Sequence, residues 1–294
     1  MKKTIFALGF FDGVHLGHQA LLAACRFLAN RTGCYAGVVT FSSHPDALVL
    51  GQMPPLISTP ADREQLLLQF HMDTVLQLPF DRVMMTTPWQ DFLQLLLEKY
   101  QAAGLVCGHD FRFGNRGEGT AALLSQACAE KGIPCTVVPA QMLDGTLISS
   151  SHIRRLLENG EMETACRFLG HPHRLTGTVV PGRQLGRTIG IPTANLTLPE
   201  DTVHLRHGVY ACKAIADGQS YMAVTNVGTR PTVSGQHVTV ETWLLDFQGD
   251  LYGKSLTLQF YRFLRPEQKF ASLPDLQAEI QKNGAQVRDF FENY

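Results

Sequence analysis

Apolar residues come in consecutive runs through the first half of the chain. "TIFALGFF" (4–11), "CYAGVVTF" (34–41), "DTVLQLPF" (73–80), "GLVCGHDF" (104–111) and "CTVVPA" (135–140) read as strands. Uninterrupted apolar interiors mean burial on both faces, which marks a parallel sheet. Stretches of helical spacing lie between the runs. "LGHQALLAACRFLANR" follows the first strand, and "TPADREQLLLQF" and "TPWQDFLQLLLEKYQ" each open with Thr-Pro. That predicts N-caps at Thr59 and Thr87, with Pro60 and Pro88 at the first helical position. Gln90 completes a predicted capping box with Thr87. Strand and helix in alternation predict a doubly wound α/β domain, whose ligands bind beyond the carboxyl ends of its strands.

The period changes near residue 170. "HVTVETWLLDF" (237–247) and "KSLTLQFYRFL" (254–264) alternate with period two, and Gly-rich turns such as "PGRQLG", "ADGQS" and "FQGD" separate such segments. Short, closely spaced strands predict an antiparallel barrel. The final "LPDLQAEIQKNGAQVRDFFENY" predicts a terminal helix. The expected domains are 1–170 and 171–294, joined through a short helical stretch around 152–170.

Composition narrows the class. The chain has 294 residues, 45% hydrophobic and 17% charged, which fits two globular domains and excludes disorder. A formal net charge of -1 without a basic block argues against a general nucleic-acid binder. The seven cysteines are odd in number and none is spaced C-x-x-C, so they read as reduced, mostly buried small side chains. "MKKTIFALGFF" begins like a signal peptide, but its apolar run stops at Asp12 with no cleavage site. No later run is long enough for a membrane span. A cytoplasmic protein is expected, acting on small molecules as a monomer or weak homo-oligomer, with neither nucleic acid nor membrane as partner.

"GFFDGVHLGHQ" (9–19) joins the first strand to the first helix. Such a junction presents free N–H groups and the positive end of a helix dipole. His15 and His18, at i and i+3, share a side. Gly9, Gly13 and Gly17 let the backbone turn and approach a ligand closely. The geometry suits a triphosphate, with the imidazoles donating to phosphoryl oxygens as charge builds. A zinc site would need a third ligand that spacing does not supply. A turn at Asp12-Gly13 with incidental imidazoles is the remaining alternative.

Serines 149 to 151 stand at a predicted helix start with Arg154 in its first turn, a grip for polyphosphate or else a plain N-cap. Asp110, Phe111 and Phe113 follow a strand. The rings can stack on a flat ligand while the carboxylate takes a hydroxyl, or the two Phe can pack in the core. In "GRTIGIPTANL" (186–196), Thr193 and Asn195 offer hard oxygen donors that suit Mg²⁺, or else satisfy a β-turn. On "VTVETWLL" (238–245), Thr239, Glu241, Trp243 and Leu245 share one strand face, while Val238, Val240, Thr242 and Leu244 share the other. Glu241 can therefore line a partly apolar pocket and take a proton from a hydroxyl, or face solvent.

These motifs, in this order, resemble the bifunctional prokaryotic riboflavin kinase/FAD synthetase family. "GFFDGVHLGH" resembles G-x-F-D-G-x-H-x-G-H, the phosphate-binding signature of the nucleotidyltransferase superfamily related to class I aminoacyl-tRNA synthetases. "TFSSHP" (40–45), which contains His44, resembles T-F-x-P-H-P with Ser43 in place of a proline. "CGHDFRFGNRGEG" (107–119) resembles G-x-D-F-R-F-G, and "ISSSHIRRLLENG" (148–160) resembles I-S-S-T-R-I-R with His152 in place of an arginine. "GRTIGIPTANL" resembles G-R-x-L-G-F-P-T-A-N. "HGVYAC", "TNVGTRPT" and "VETWLLDFQGDLYG" resemble further kinase segments. "LGHPH" (169–173) stands for a more usual L-G-R-P-Y.

The resemblance implies an N-terminal Rossmann-like nucleotidyltransferase domain and a C-terminal riboflavin-kinase-type barrel with a terminal helix. It implies phosphorylation of riboflavin by ATP and Mg²⁺, then adenylylation of the FMN product to FAD with release of pyrophosphate. Glu241 would be the kinase base, with Thr193 and Asn195 holding metal and nucleotide, and Gly190, Pro192 and Arg230 in the same binding motifs. His15, His18 and Arg154 would stabilise the adenylyl transfer. Gly9, Phe11, Asp12, Gly13, Gly17, His44, Asp110, Phe111, Phe113, Ser149 and Ser150 would bind the nucleotide and FMN. The rivals are a chain active in one module alone and a non-catalytic flavin- or nucleotide-binding regulator.

Overall fold

The computed structural model describes residues 2–182, 186, 189–199, 201–232 and 235–294, with backbone alone at 230–232 and 235–237. The chain forms two compact units, Met1–Ser150 and Ser151–Tyr294. No helix among the described residues is long and apolar enough to cross a membrane.

In the first unit, strands β1 (Thr4–Leu8), β2 (Tyr35–Phe41), β3 (Thr74–Leu78) and β4 (Ala102–Gly108) are followed by the short pair β5 (Arg112–Phe113) and β6 (Gly119–Thr120). Then come β7 (Cys135–Val138) and the hairpin β8 (Met142–Leu143) with β9 (Thr146–Leu147). The five longer strands make one sheet in the order β3-β2-β1-β4-β7, parallel throughout. Alternate residues of β1 explain its uninterrupted apolar run. Ile5 and Ala7 join one core with Val38, Val106 and Leu22, while Phe6 and Leu8 join the other with Val39, Leu105 and Leu96. The strand order reverses between β1 and β4, so the ligand crevice of such a sheet opens at their carboxyl ends.

The helices are α1 (Leu16–Thr32), α2 (Pro45–Val49), α3 (Pro60–Gln69), α4 (Arg82–Thr86), α5 (Trp89–Glu98), α6 (Ala121–Glu130), α7 (Ser150–Asn159) and α8 (Met162–Leu169). Thr59 caps α3 as expected, accepting from Asp62 N–H. The capping box expected at Thr87 does not form. The Thr87 hydroxyl donates back to Val83 O at 2.8 Å, and Pro88 precedes α5 without a side-chain cap. The physical reason is the short helix α4, capped by Asp81, which ends on Thr87 and takes its side chain.

In the second unit, β10 (His173–Val180), β11 (Ala194–Thr197), β12 (Gly208–Ala216), β13 (Gln219–Thr232), β14 (Gly235–Leu244) and β15 (Ser255–Arg265) close into an antiparallel barrel, in the order β10-β11-β14-β13-β12-β15. The terminal helix Leu273–Glu292 buries Val287 with Val209, Val224 and Leu245 on the barrel's outside. Helix α8 also belongs to this unit: Cys166 Sγ donates to Phe260 O at 3.3 Å and Glu163 pairs with Arg262 at 2.6 Å. The contacts thus divide the chain at 150/151, upstream of the expected boundary at 170/171.

Candidate active sites

The first site grows out of the turn after β1. Phe11 (φ 60°), Gly13 (φ 76°) and Val14 (φ 42°) all lie in the left-handed region. Two of these are side chains that rarely go there, a strain of about 1–3 kcal/mol each. The turn is held from below. The buried Asp12 carboxylate accepts from Ile57 N and Ser58 N at 3.0 Å, and Ser58 Oγ accepts from Gly13 N at 2.9 Å. Ser150 Oγ donates to Asp12 O at 3.2 Å, which brings the "ISSS" motif to the same turn. Asp12 and Phe11 are thus buried inside the turn, at 2% and 0% exposure.

His15 is the N-cap of α1, its Nδ1 accepting from His18 N at 3.2 Å. A neutral His15 ring therefore carries its proton on Nε2. The His18 ring stacks on it, centroids 3.6 Å apart and 13° from parallel, with Phe11 5.1 Å away. Burial, then the charges of His15 and Arg63, push the His18 pKa well below its usual value. Gly17 is needed for close approach rather than for its φ, since a Cβ there would lie 3.1 Å from the His15 ring. A Cβ at Gly9 would meet the Phe11 ring at 3.1 Å. Neutral imidazoles stacked at a helix start can donate to phosphoryl oxygens without a proton first being lost.

The motifs that follow β2 and β4 lie at the same end of the sheet. His44 caps α2 through Nδ1, accepting from Asp46 N at 3.1 Å, and packs edge-on against Phe10 at 4.5 Å. Asp110 leaves the carboxyl end of β4 with its side chain 83% exposed. Phe111 stacks on Phe113 at 5.3 Å, and Phe113 is buried against Trp89 and Phe92. Phe113 is therefore a core residue, leaving Phe111, half-buried, as the ring nearer solvent. Ser149 is half-buried just before α7, and Arg154 is half-buried one turn into it.

The second site lies on the outer face of the barrel. Asn195, Glu241 and Asn226 are register partners on β11, β14 and β13, one carboxylate between two amides in a cross-strand row. Such partners stand about 4.5–5.5 Å apart at Cβ. Val240, Thr242 and Leu244 are buried on the opposite face, as the alternation predicted. A cavity of ≈ 270 Å³ runs from Thr193, Asn226 and Glu241 to the apolar Ile191, Trp243 and Phe270. The terminal helix closes one wall. Arg265 donates through Nε and Nη2 to Asn283 Oδ1 at 3.2 and 3.0 Å, and Gln277 Nε2 donates to Ile189 O at 2.8 Å.

Gly190 turns with φ 72°, and the exposed Pro192 leads to Thr193. A Cβ at Gly182 would fall 2.3 Å from Asn195 Nδ2, so glycine lets that amide lie against backbone. The Arg230 side chain lies outside the described residues. Hydroxyl, amide oxygen and carboxylate are hard donors, the set Mg²⁺ prefers, and among the described residues no His/Cys/Asp/Glu cluster of three is placed to hold a metal. A second cavity of ≈ 270 Å³, among Leu175, Val203, Val227 and Val240, lies on the other face of β14, away from Glu241 and Asn226.

Sequence reasoning missed Ser58, Arg63, Asn226, Arg265 and Glu267 as residues of these sites. Asn226 lay within "TNVGTRPT", a usable signal. Arg63 shares a helix face with Leu66 and Leu67, and a charge on an apolar stripe is also a signal. Arg265 and Glu267 meet the cavity only through the fold.

Comparison with known proteins bears on both units. The FAD synthetase family model matches residues 1–152, and the riboflavin kinase family model matches residues 169–291. The bifunctional riboflavin kinase/FMN adenylyltransferase of Listeria monocytogenes is 33% identical over 98% of this chain and 93% of its own. That of Escherichia coli K12 is 36% identical over 99% and 93%. A crystal structure titled a macrolide-efflux protein from Streptococcus pneumoniae superposes with a TM-score of 0.87 at 30% identity, covering 97% of this chain and 94% of that one. With both modules matched in order, and relatives alike along nearly the whole length, the chain belongs to the bifunctional riboflavin kinase/FMN adenylyltransferase family.

Proposed function

We propose that the barrel unit makes FMN and the α/β unit turns it into FAD, each with the side chains assembled above. In the barrel, the ribityl 5′-hydroxyl of riboflavin attacks the γ-phosphorus of ATP and ADP leaves. Glu241 accepts the hydroxyl proton, with Asn195 and Asn226 its register partners on either side. The apolar end of the cavity, with Trp243, Ile191 and Phe270, suits a flat isoalloxazine ring. Thr193 and Asn195 would hold Mg²⁺, which when bound neutralises phosphate charge.

In the α/β unit, the FMN phosphate attacks the α-phosphorus of a second ATP and pyrophosphate leaves. No enzyme nucleophile is needed when the substrates are held in line. His15 Nε2–H, His18 and the amides opening α1 stabilise the charge that develops, with Ser149, Ser150 and Arg154 gripping phosphate and Asp110 a hydroxyl. The seven free thiols support a reducing, cytoplasmic setting.

The row Asn195–Glu241–Asn226 beside one cavity carries the kinase reading, and the stacked pair His15–His18 at a helix start carries the adenylyl-transfer reading. Two variants test them in one chromatographic assay. Given riboflavin, ATP and Mg²⁺, His18→Ala should accumulate FMN, its FAD formation down at least ~100-fold. Glu241→Gln should lose about 10²–10⁴-fold in riboflavin phosphorylation yet convert supplied FMN to FAD normally. Equal loss of both activities in either variant refutes the division of labour.

A further inference from the structure

Arg63 is 0% exposed, the largest fully buried side chain among the described residues. It rises from the first turn of α3 to the carboxyl ends of β1 and β2. Its guanidinium lies over the Phe10 ring, 4.1 Å from the centroid, and Nη2 donates to Phe41 O at 2.6 Å. Nε and Nη1 have no hydrogen-bond partner. A guanidinium buried with two nitrogens unmatched is a costly way to fill a core, and an apolar side chain of similar length would pack on Phe10 without that cost. Phe10 meets His44 at its edge, so Arg63 lies behind the two motifs that flank the phosphate turn.

We propose that Arg63 is a positioning residue for adenylyl transfer, a buried cation fixed behind the phosphate turn through Phe10 and Phe41, whose charge acts on His18 and on the phosphates that gather there. The inference rests on the assignment of the His15 and His18 imidazoles to adenylyl transfer. The ionisable groups acting on His18 include His15 and Arg63 of α3, with Asp12 of the turn acting on Arg63. Burial brings Arg63 down to about 10, still charged at neutral pH. A cation placed there opposes any proton on His18, in the direction its titration is shifted. The same charge favours the anions that gather at the turn, and it requires no reorganisation during the reaction.

The test uses the full chain with Arg63→Met, Arg63→Lys and His18→Ala. Arg63→Met should lower kcat for FAD formation from FMN at least ~10-fold with KM values little changed, and should move the acid limb of its pH profile upward. Riboflavin phosphorylation should be untouched. Arg63→Lys should restore most of kcat and the wild-type acid limb, which a purely steric role would not do. Wild-type kcat and limb in Arg63→Met, or equal loss in a Lys variant that melts like wild type, overturns the proposal. Should Arg63→Met fail to fold, Arg63→Gln takes its place, and NMR titration compares its His18 ring with that of wild type, the signal assigned by its absence in His18→Ala. A ring that takes up its proton at higher pH in the variant supports the proposal, and one that titrates alike in both overturns it. If His18→Ala itself leaves FAD formation intact, the parent assignment falls.

Discussion

His173 opens β10 with 1% exposure, its ring 5.9 Å from Phe260 and neither ring nitrogen hydrogen-bonded. Burial drives its pKa from 6.5 to about 3. The folded ring is therefore neutral while the unfolded ring gains a proton below pH 6.5. The unfolded state then binds more protons, so stability is full above 6.5 and falls as the pH drops toward 3. The loss is roughly 1.4 kcal/mol per pH unit across that window. His173→Phe should remove this acid sensitivity and add about 1–3 kcal/mol at neutral pH by deleting two unmatched polar atoms. Urea unfolding at pH 7 and pH 5 measures both effects. A variant whose stability falls between those pH values as steeply as wild type would show that other groups carry the acid response.

At the scale of elements, the terminal helix packs on β14 with a glycine set against Trp243. A Cβ at Gly284 would lie 2.7 Å from Trp243 Cζ3, and Trp243 shares its strand face with Glu241. Ala in place of Gly inside a helix is ordinarily worth about 1 kcal/mol of added stability. Gly284→Ala should do the reverse, pushing Trp243 into the cavity and raising the riboflavin KM several-fold. FAD formation from supplied FMN should not change. A stabilised variant with the wild-type KM would mean that the helix can shift away without disturbing the pocket. Helix α4 teaches a related lesson. Thr87 looked like a cap for the helix after it, yet its hydroxyl was already taken by the helix before it. Local cap signals do not say which neighbour competes for them.

At the scale of the molecule, helix α8 buries Met162, Ala165, Phe168 and Leu169. A fragment 151–294 should be soluble and phosphorylate riboflavin, whereas one starting at 171 loses that cover from β10 and β15. The shorter fragment should melt at least several degrees lower or aggregate, as differential scanning calorimetry would reveal. Equal melting of the two would show that α8 adds nothing to the barrel. The division into a parallel sheet and a barrel was legible in the sequence alone, because burial on two faces and burial on one leave different periods along the chain. So was the position of His15 and His18 at a helix start and of Glu241 on an alternating strand, since turn chemistry and strand alternation are local. Tertiary structure alone decided which residues stand behind them. Asp12 is held by Ile57 and Ser58, Arg63 lies beneath Phe10, and Arg265 reaches Asn283 on the terminal helix. Those partners are far apart in sequence, and such pairings are set only when distant segments pack together. Spacing along the chain carries no trace of them.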